Sequence, residues 1–215
     1  MIIHTKMRST RKGRGYSVRA AAMAALLVLL PARLAFAQDQ RVTVDSIPAS
    51  IDSYLHLRDS LARTPEGGAA MLLIAMLEMK KDPGLGLQMM TVMLDRSLLR
   101  QGGTYKGFTP SASVMFHVDR LSRDDAWRYL PSAYVEGTTP ADGYACEPPY
   151  TYLFSRNAYS GSESKGSVKV FIRTYGVMPR PVMMKVNSNG IWKPAEISSL
   201  FVDVARPAAD TKDDL

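Results

Sequence analysis

Cysteine is nearly absent: Cys146 is the single thiol in a chain of 215 residues. No disulfide can close within the chain, so the fold must rest on its apolar core. Histidine is scarce as well, and beyond residue 37 only His56 and His117 remain. A Ser–His–Asp triad needs a positioned imidazole, and no G-x-S-x-G elbow frames a nucleophilic serine. No H-x-x-x-H or Cys/His pair occurs, which removes the common zinc spacings. Neither a metal nor a cofactor is expected. The Gly102–Gly107 stretch, GGTYKG, lacks the phosphate-loop spacing and reads as a flexible connection within Gln101–Pro110.

Long apolar runs are missing too. The longest is Ala20–Leu30 and the next is Ala69–Leu77, both short of the roughly 20 residues that a bilayer span requires. Acidic residues are absent from residues 1–37, which carry Lys6, Arg8, Arg11, Lys12, Arg14, Arg19 and Arg33. A basic start, a short apolar stretch and Ala35-Phe36-Ala37 together form a signal-peptide pattern with cleavage expected after Ala37. The formal net charge of +7 arises wholly in that segment, because the remainder holds equal numbers of basic and acidic residues. Nucleic-acid binding, which draws on a surplus of Lys and Arg, is therefore not expected. No cysteine at the cleavage point offers a lipid anchor. The expectation is a soluble periplasmic or secreted protein with no stable membrane insertion.

The remaining length suits one domain. It divides into an arm over 38–47, a folded region over 48–205 and a disordered tail over 206–215. In the arm, Val42 and Val44 alternate with polar residues, as in an edge strand. Ile51, Tyr54, Leu55, Arg58 and Leu61 recur at helical spacing. Thr64-Pro65-Glu66 starts a second helix with a cap, a first-turn proline and an acid at the positive end of the dipole. The helix that follows is apolar all round through Met79, the pattern of a buried helix. Asp82-Pro83 starts a third, which ends before Gly102-Gly103. The methionines of these helices read as core filling rather than a copper site. Ser113–Val118 fits a short strand or a helical turn. Ser122 to Asp125 matches a capping box for a helix through Trp127 to Leu130.

Tyr134 to Tyr150 is long and irregular, rich in Gly and Pro. Loops of this length in a compact domain often carry function. Strand alternation then appears from Tyr150 to Ser155, from Val168 to Tyr175 and from Val182 to Val186. An Asn189-Gly190 turn leads to Ile191-Trp192-Lys193, and Leu200, Val202 and Val204 complete the predicted sheet. The fold class is α+β, with N-terminal helices packed on a curved C-terminal antiparallel sheet.

Pro65-Glu66-Gly67, Asp82-Pro83 with Gly86, Ser132–Pro140, Pro179-Arg180-Pro181 and Gly190-Ile191-Trp192-Lys193 with Ser198-Ser199-Leu200 occur in that order. In this the chain resembles a family of exported bacterial proteins of unknown function. The resemblance covers roughly residues 48–207. It implies an α+β domain and an exported location, and it transfers no catalytic residue. The order of helices then curved sheet is also similar to the cone of nuclear-transport-factor-like and SnoaL-like proteins, an analogy of fold alone.

Four residues are the candidates for ligand binding. Arg173 and Arg180 supply forked donors suited to carboxylate or phosphate, and Arg180 is stiffened by the prolines beside it; an alternative for Arg180 is a pairing with Glu196. Tyr144 and Tyr150 lie in the irregular segment. Lys185 and Lys193 read as edge-protecting charges. The expected function is a non-enzymatic module that binds a small ligand or an envelope protein. The alternative is a hydrolase-like enzyme over the sheet, using Cys146 with His117 or a carboxylate pair from Glu136, Asp142 and Glu147.

Overall fold

The computed structural model describes Met1 and residues 39–202 and 204–208. The expected leader and most of the expected tail lie outside the described residues. The architecture is α+β: the described residues form four α-helices, a six-stranded antiparallel sheet and a separate two-stranded hairpin.

Helix α1 (Ile51–Leu61) is capped by Ser50, and Tyr54 alone of its residues is fully buried. The Tyr54 hydroxyl donates to the Met71 carbonyl at 2.7 Å, which joins it to α2 (Pro65–Lys81). Helix α2 is the axis of the fold. Thr64 accepts from the Gly67 amide, Pro65 fills the first turn, and Lys80 and Lys81 sit at the negative end. Every residue from Pro65 to Met79 is buried, as a helix without a polar face requires. Helix α3 (Pro83–Met93) is capped by Asp82 and buries Met89, Met90 and Met93 against the same core.

After Met93 the chain departs from the sequence reading. The glycine-rich connection is a hairpin of β2 (Leu99–Tyr105) and β3 (Phe108–Pro110). Gly102 lies inside β2, where a Cβ would sit 2.3 Å from the Thr109 side chain. Glycine there serves close strand contact, and it also erases the alternation by which a strand is recognised. The next apolar run belongs to α4 (Ala112–Arg123), capped by Ser111, with Val114, Val118 and Leu121 buried. Ser122 therefore starts no helix. Its hydroxyl donates back to the Val118 carbonyl inside α4, and only a short 3-10 turn follows at Ala126–Arg128.

The main sheet runs in the order β1 (Gln40–Val44), β4 (Tyr150–Ser155), β6 (Ser167–Ile172), β7 (Arg180–Val186), β8 (Trp192–Glu196), with the short β5 (Gly161–Ser162) paired to β6. Val168, Val170, Ile172, Val182 and Met184 form the buried face. The β7–β8 hairpin closes through Gly190 at φ +72° and a bond from the Asn187 amide to the Ile191 carbonyl. Beyond β8 the predicted last strand is absent. Ser198–Phe201 is a 3-10 turn that buries Leu200 and Phe201 and leaves Val202 exposed.

Helix α2 meets the sheet with almost no gap. A Cβ on Gly68 would stand 2.3 Å from the Trp192 carbonyl oxygen. The Trp192 amide donates to the Ala62 carbonyl, so the α1–α2 corner is hydrogen-bonded to β8. Among the described residues, no helix is long and apolar enough to cross a membrane.

Candidate functional site

Strand β4 pairs with β6 only at Phe154–Ile172 and Ser155–Phe171. One more bond runs from the Arg173 amide to the Leu153 carbonyl, and there the strands part. The segment after α4 fills the gap: the Glu136 amide donates to the Thr151 carbonyl at 2.8 Å. The Thr174 hydroxyl donates to the Ala133 carbonyl and fastens the two sides together. A cleft of about 230 Å³ opens at this split, lined among others by Tyr134, Glu136, Thr138, Leu153, Arg173 and Tyr175. The floor is fixed. The Tyr134 ring is buried, and its hydroxyl donates to the Leu200 carbonyl. Burial pushes the Tyr134 phenol above its ordinary range, against a smaller opposing pull from Arg180.

The charged rim is held by β1 and the residue just before it. Arg173 pairs with Asp39 at 2.5 Å and Glu136 pairs with Arg41 at 2.6 Å. All four side chains reach solvent, so these pairs are weak and exchangeable. The β6–β7 connection beside the cleft exposes Tyr175, Val177 and Met178, the last at 79%.

Of the four candidate residues, Arg173 alone lines this cleft. Arg180 opens β7 opposite Ile172. Tyr144 is buried at φ +58° and donates its hydroxyl to the Ala205 carbonyl at 2.7 Å. Tyr150 is half-buried opposite Val44, and burial followed by the nearby Cys146 raises its phenol pKa. Sequence reading missed Glu136 as the acidic partner on the cleft rim, because Arg41 lies 95 residues away.

Cys146 and His117 have different surroundings. His117 stacks on Phe201 at 5.3 Å, and its Nδ1 is buried with no hydrogen-bond partner among the described residues. Burial, then the charge of Arg120, lowers its pKa. It lines a separate hollow of about 170 Å³ with Ser113 and Glu196. Cys146 instead acts electrostatically on Lys80, Tyr150 and Tyr152. Lys80 donates to the Ser132 hydroxyl at 2.7 Å, and burial lowers its pKa. Among the described residues no group of three His, Cys, Asp or Glu is disposed to hold a metal ion.

A second and larger cavity, about 470 Å³, lies on the other side of the core between α1, the end of α3, the β2–β3 hairpin and β8. Arg58, Arg96, Lys106 and Lys193 stand around it with Asp95, over Leu55, Leu99, Tyr105 and Phe108.

Residues 46–208 match the profile of a domain of unknown function, DUF6935. The chain belongs to the DUF6935 family. The DUF6935 match spans all four helices and every strand except β1. No curated protein and no solved structure matches the chain.

Proposed function

We propose that this DUF6935 protein is exported to the bacterial periplasm or beyond, and that it acts there as a non-enzymatic binding module. Its site is the cleft at the β4–β6 split. The observation that carries this reading is the ion-paired rim over a rigid floor. Arg173 and Glu136 carry opposite charges and pair with exposed partners, Asp39 just before β1 and Arg41 on it. A ligand with a carboxylate or an amine can displace Asp39 or Arg41 at little cost, while the buried Tyr134 and Thr174 keep the cleft in shape. Exposed Tyr175, Val177 and Met178 add an apolar shoulder, which suits an envelope protein or the apolar part of a small ligand. Export is supported by the leader pattern in residues 1–37.

The hydrolase-like alternative draws on Cys146 with His117, or on the carboxylates of the loop. His117 lines a different hollow, and the Asp142 carboxylate accepts from the Thr139 and Tyr144 amides within its own turn, so binding is the preferred reading. Thermal unfolding in the presence of small carboxylates, amines and zwitterions tests it. A bound compound at a hundred times its Kd adds about 2.7 kcal/mol of stability. The expected result is a raised midpoint for at least one compound, abolished by Arg173→Ala. A shift that persists in Arg173→Ala, or no shift with any compound, counts against the cleft.

A further inference from the structure

The larger cavity has a distinct chemistry. Lys193 projects from β8 into it, half-buried, and donates to the Val92 carbonyl at 2.7 Å and more weakly to the Leu94 carbonyl at 3.5 Å. An ammonium has three donors, so one remains for another partner. Among the described residues no carboxylate pairs with Lys193, Arg96 or Lys106. Asp95 is the one acid on the wall; its Oδ1 accepts from the Ser97 amide and hydroxyl at 3.0 and 2.6 Å, and its charge offsets part of the lysine's environment without an ion pair to it. Arg58 binds its neighbour Asp59 through Nε and Nη2, and its charge still acts on Lys193 as a like charge, second only to burial in lowering the lysine pKa. Two cations thus share one partly buried wall with a single acid, Asp95, that forms no ion pair with either among the described residues.

Apart from Thr91 and Asn187, the rest of the lining is apolar and aromatic. Arg96 lies over the Phe108 ring at 4.2 Å, and Lys106 reaches toward Tyr105 at 5.4 Å. Leu55, Val92, Leu94 and Leu99 make up much of the remaining surface. The volume of about 470 Å³ falls in the range of roughly 300–1,000 Å³ typical of small-molecule sites. A purely inorganic anion would leave this apolar surface uncovered, and a neutral apolar ligand would leave the cations unmatched.

We infer that this cavity binds an amphipathic small molecule with one anionic head, the head against Lys193 and Arg58 and the apolar chain along Leu55, Leu99, Tyr105 and Phe108. The head group is a carboxylate or a phosphate monoester, which present the same acceptor chemistry to these donors. The site is independent of the cleft at the β4–β6 split.

The test is titration calorimetry of the full chain with four probes below their micellar concentrations: dodecanoate, dodecyl phosphate, dodecyltrimethylammonium and inorganic phosphate. The expected result is saturable one-to-one binding of dodecanoate, dodecyl phosphate or both, with no binding of the cationic chain or of inorganic phosphate. Loss of a charge-assisted hydrogen bond should weaken binding about tenfold or more in Lys193→Gln and in Arg58→Gln. Lys193→Gln also removes a tie to the α3 carbonyls, so the rim double variant Arg96→Gln, Lys106→Gln gives an independent reading, with weakening expected there too. Which anionic chain binds more tightly distinguishes a fatty acid from a phosphorylated lipid. Equal binding of the cationic chain, binding of inorganic phosphate alone, undiminished affinity in the folded variants, or no binding of either anionic chain would overturn the proposal.

Discussion

Glu66 shows how a single residue can serve two purposes. From the sequence it is an acid in the first turn of a helix, favourable to the dipole. In the fold it is almost fully buried and meets Arg156 in a forked pair, Nε to Oε1 at 2.5 Å and Nη2 to Oε2 at 2.7 Å. Arg156 also reaches Glu163 at 2.7 Å. A buried carboxylate stripped of its partner costs about 3–5 kcal/mol. Arg156→Ala should therefore lower the unfolding free energy by about that much in a denaturant titration, and a loss under about 1 kcal/mol would contradict the assignment. Nothing in the sequence could reveal the pair, since its members are 90 positions apart. The same separation hid the partners of Arg173 and Glu136. It hid the partner of Tyr144 as well: the Tyr144 hydroxyl donates to the Ala205 carbonyl, 61 residues on. Local chemistry names the residue types of a site, and only the tertiary fold says which of them meet.

At the scale of elements, periodicity was a sound guide to the first three helices and to β4, β6 and β7, and it failed beyond β8, where the alternation of Leu200, Val202 and Val204 meets a 3-10 turn. The caps and the all-round apolar composition of α2 are explicit in the chain, as are the alternations in β4, β6 and β7. The β2–β3 hairpin was illegible because Gly102 and Gly103 contribute no side chains to an alternation. Helix α4 was obscured because the reading of Ser113–Val118 stopped short of Leu121, the third residue of its buried stripe. Helix α2 fixes the position of β8. Its contact with β8 is backbone against backbone, and the Gly68 position has room for hydrogen alone. Gly68→Ala would raise helix propensity yet force α2 off the Trp192 carbonyl. Overpacking of this kind costs about 1–3 kcal/mol, so the variant should melt earlier than the parent. A variant as stable as the parent would show that α2 and β8 are not in such contact.

For the molecule as a whole, the charge distribution and the cleft point the same way. A strongly basic chain becomes neutral once residues 1–37 are set aside, and its surface charge is then local rather than global. Sequencing the N-terminus of protein recovered from the periplasm or medium should find Gln38 first; protein that begins at Met1 and stays in the cytoplasm would refute export. The fold class could be read from the order of helices and strands. The cleft could not, because it exists only where β4 and β6 separate and residues 133–139 take the vacated edge. Its location over the irregular segment makes binding there the central claim. The most direct measurement is amide chemical-shift mapping of the labelled protein against a library of small carboxylates, amines and zwitterions. The account predicts perturbations centred on residues 133–139, Leu153 and 173–175. Ligands that perturb only other surfaces, or a library that perturbs nothing, would contradict it.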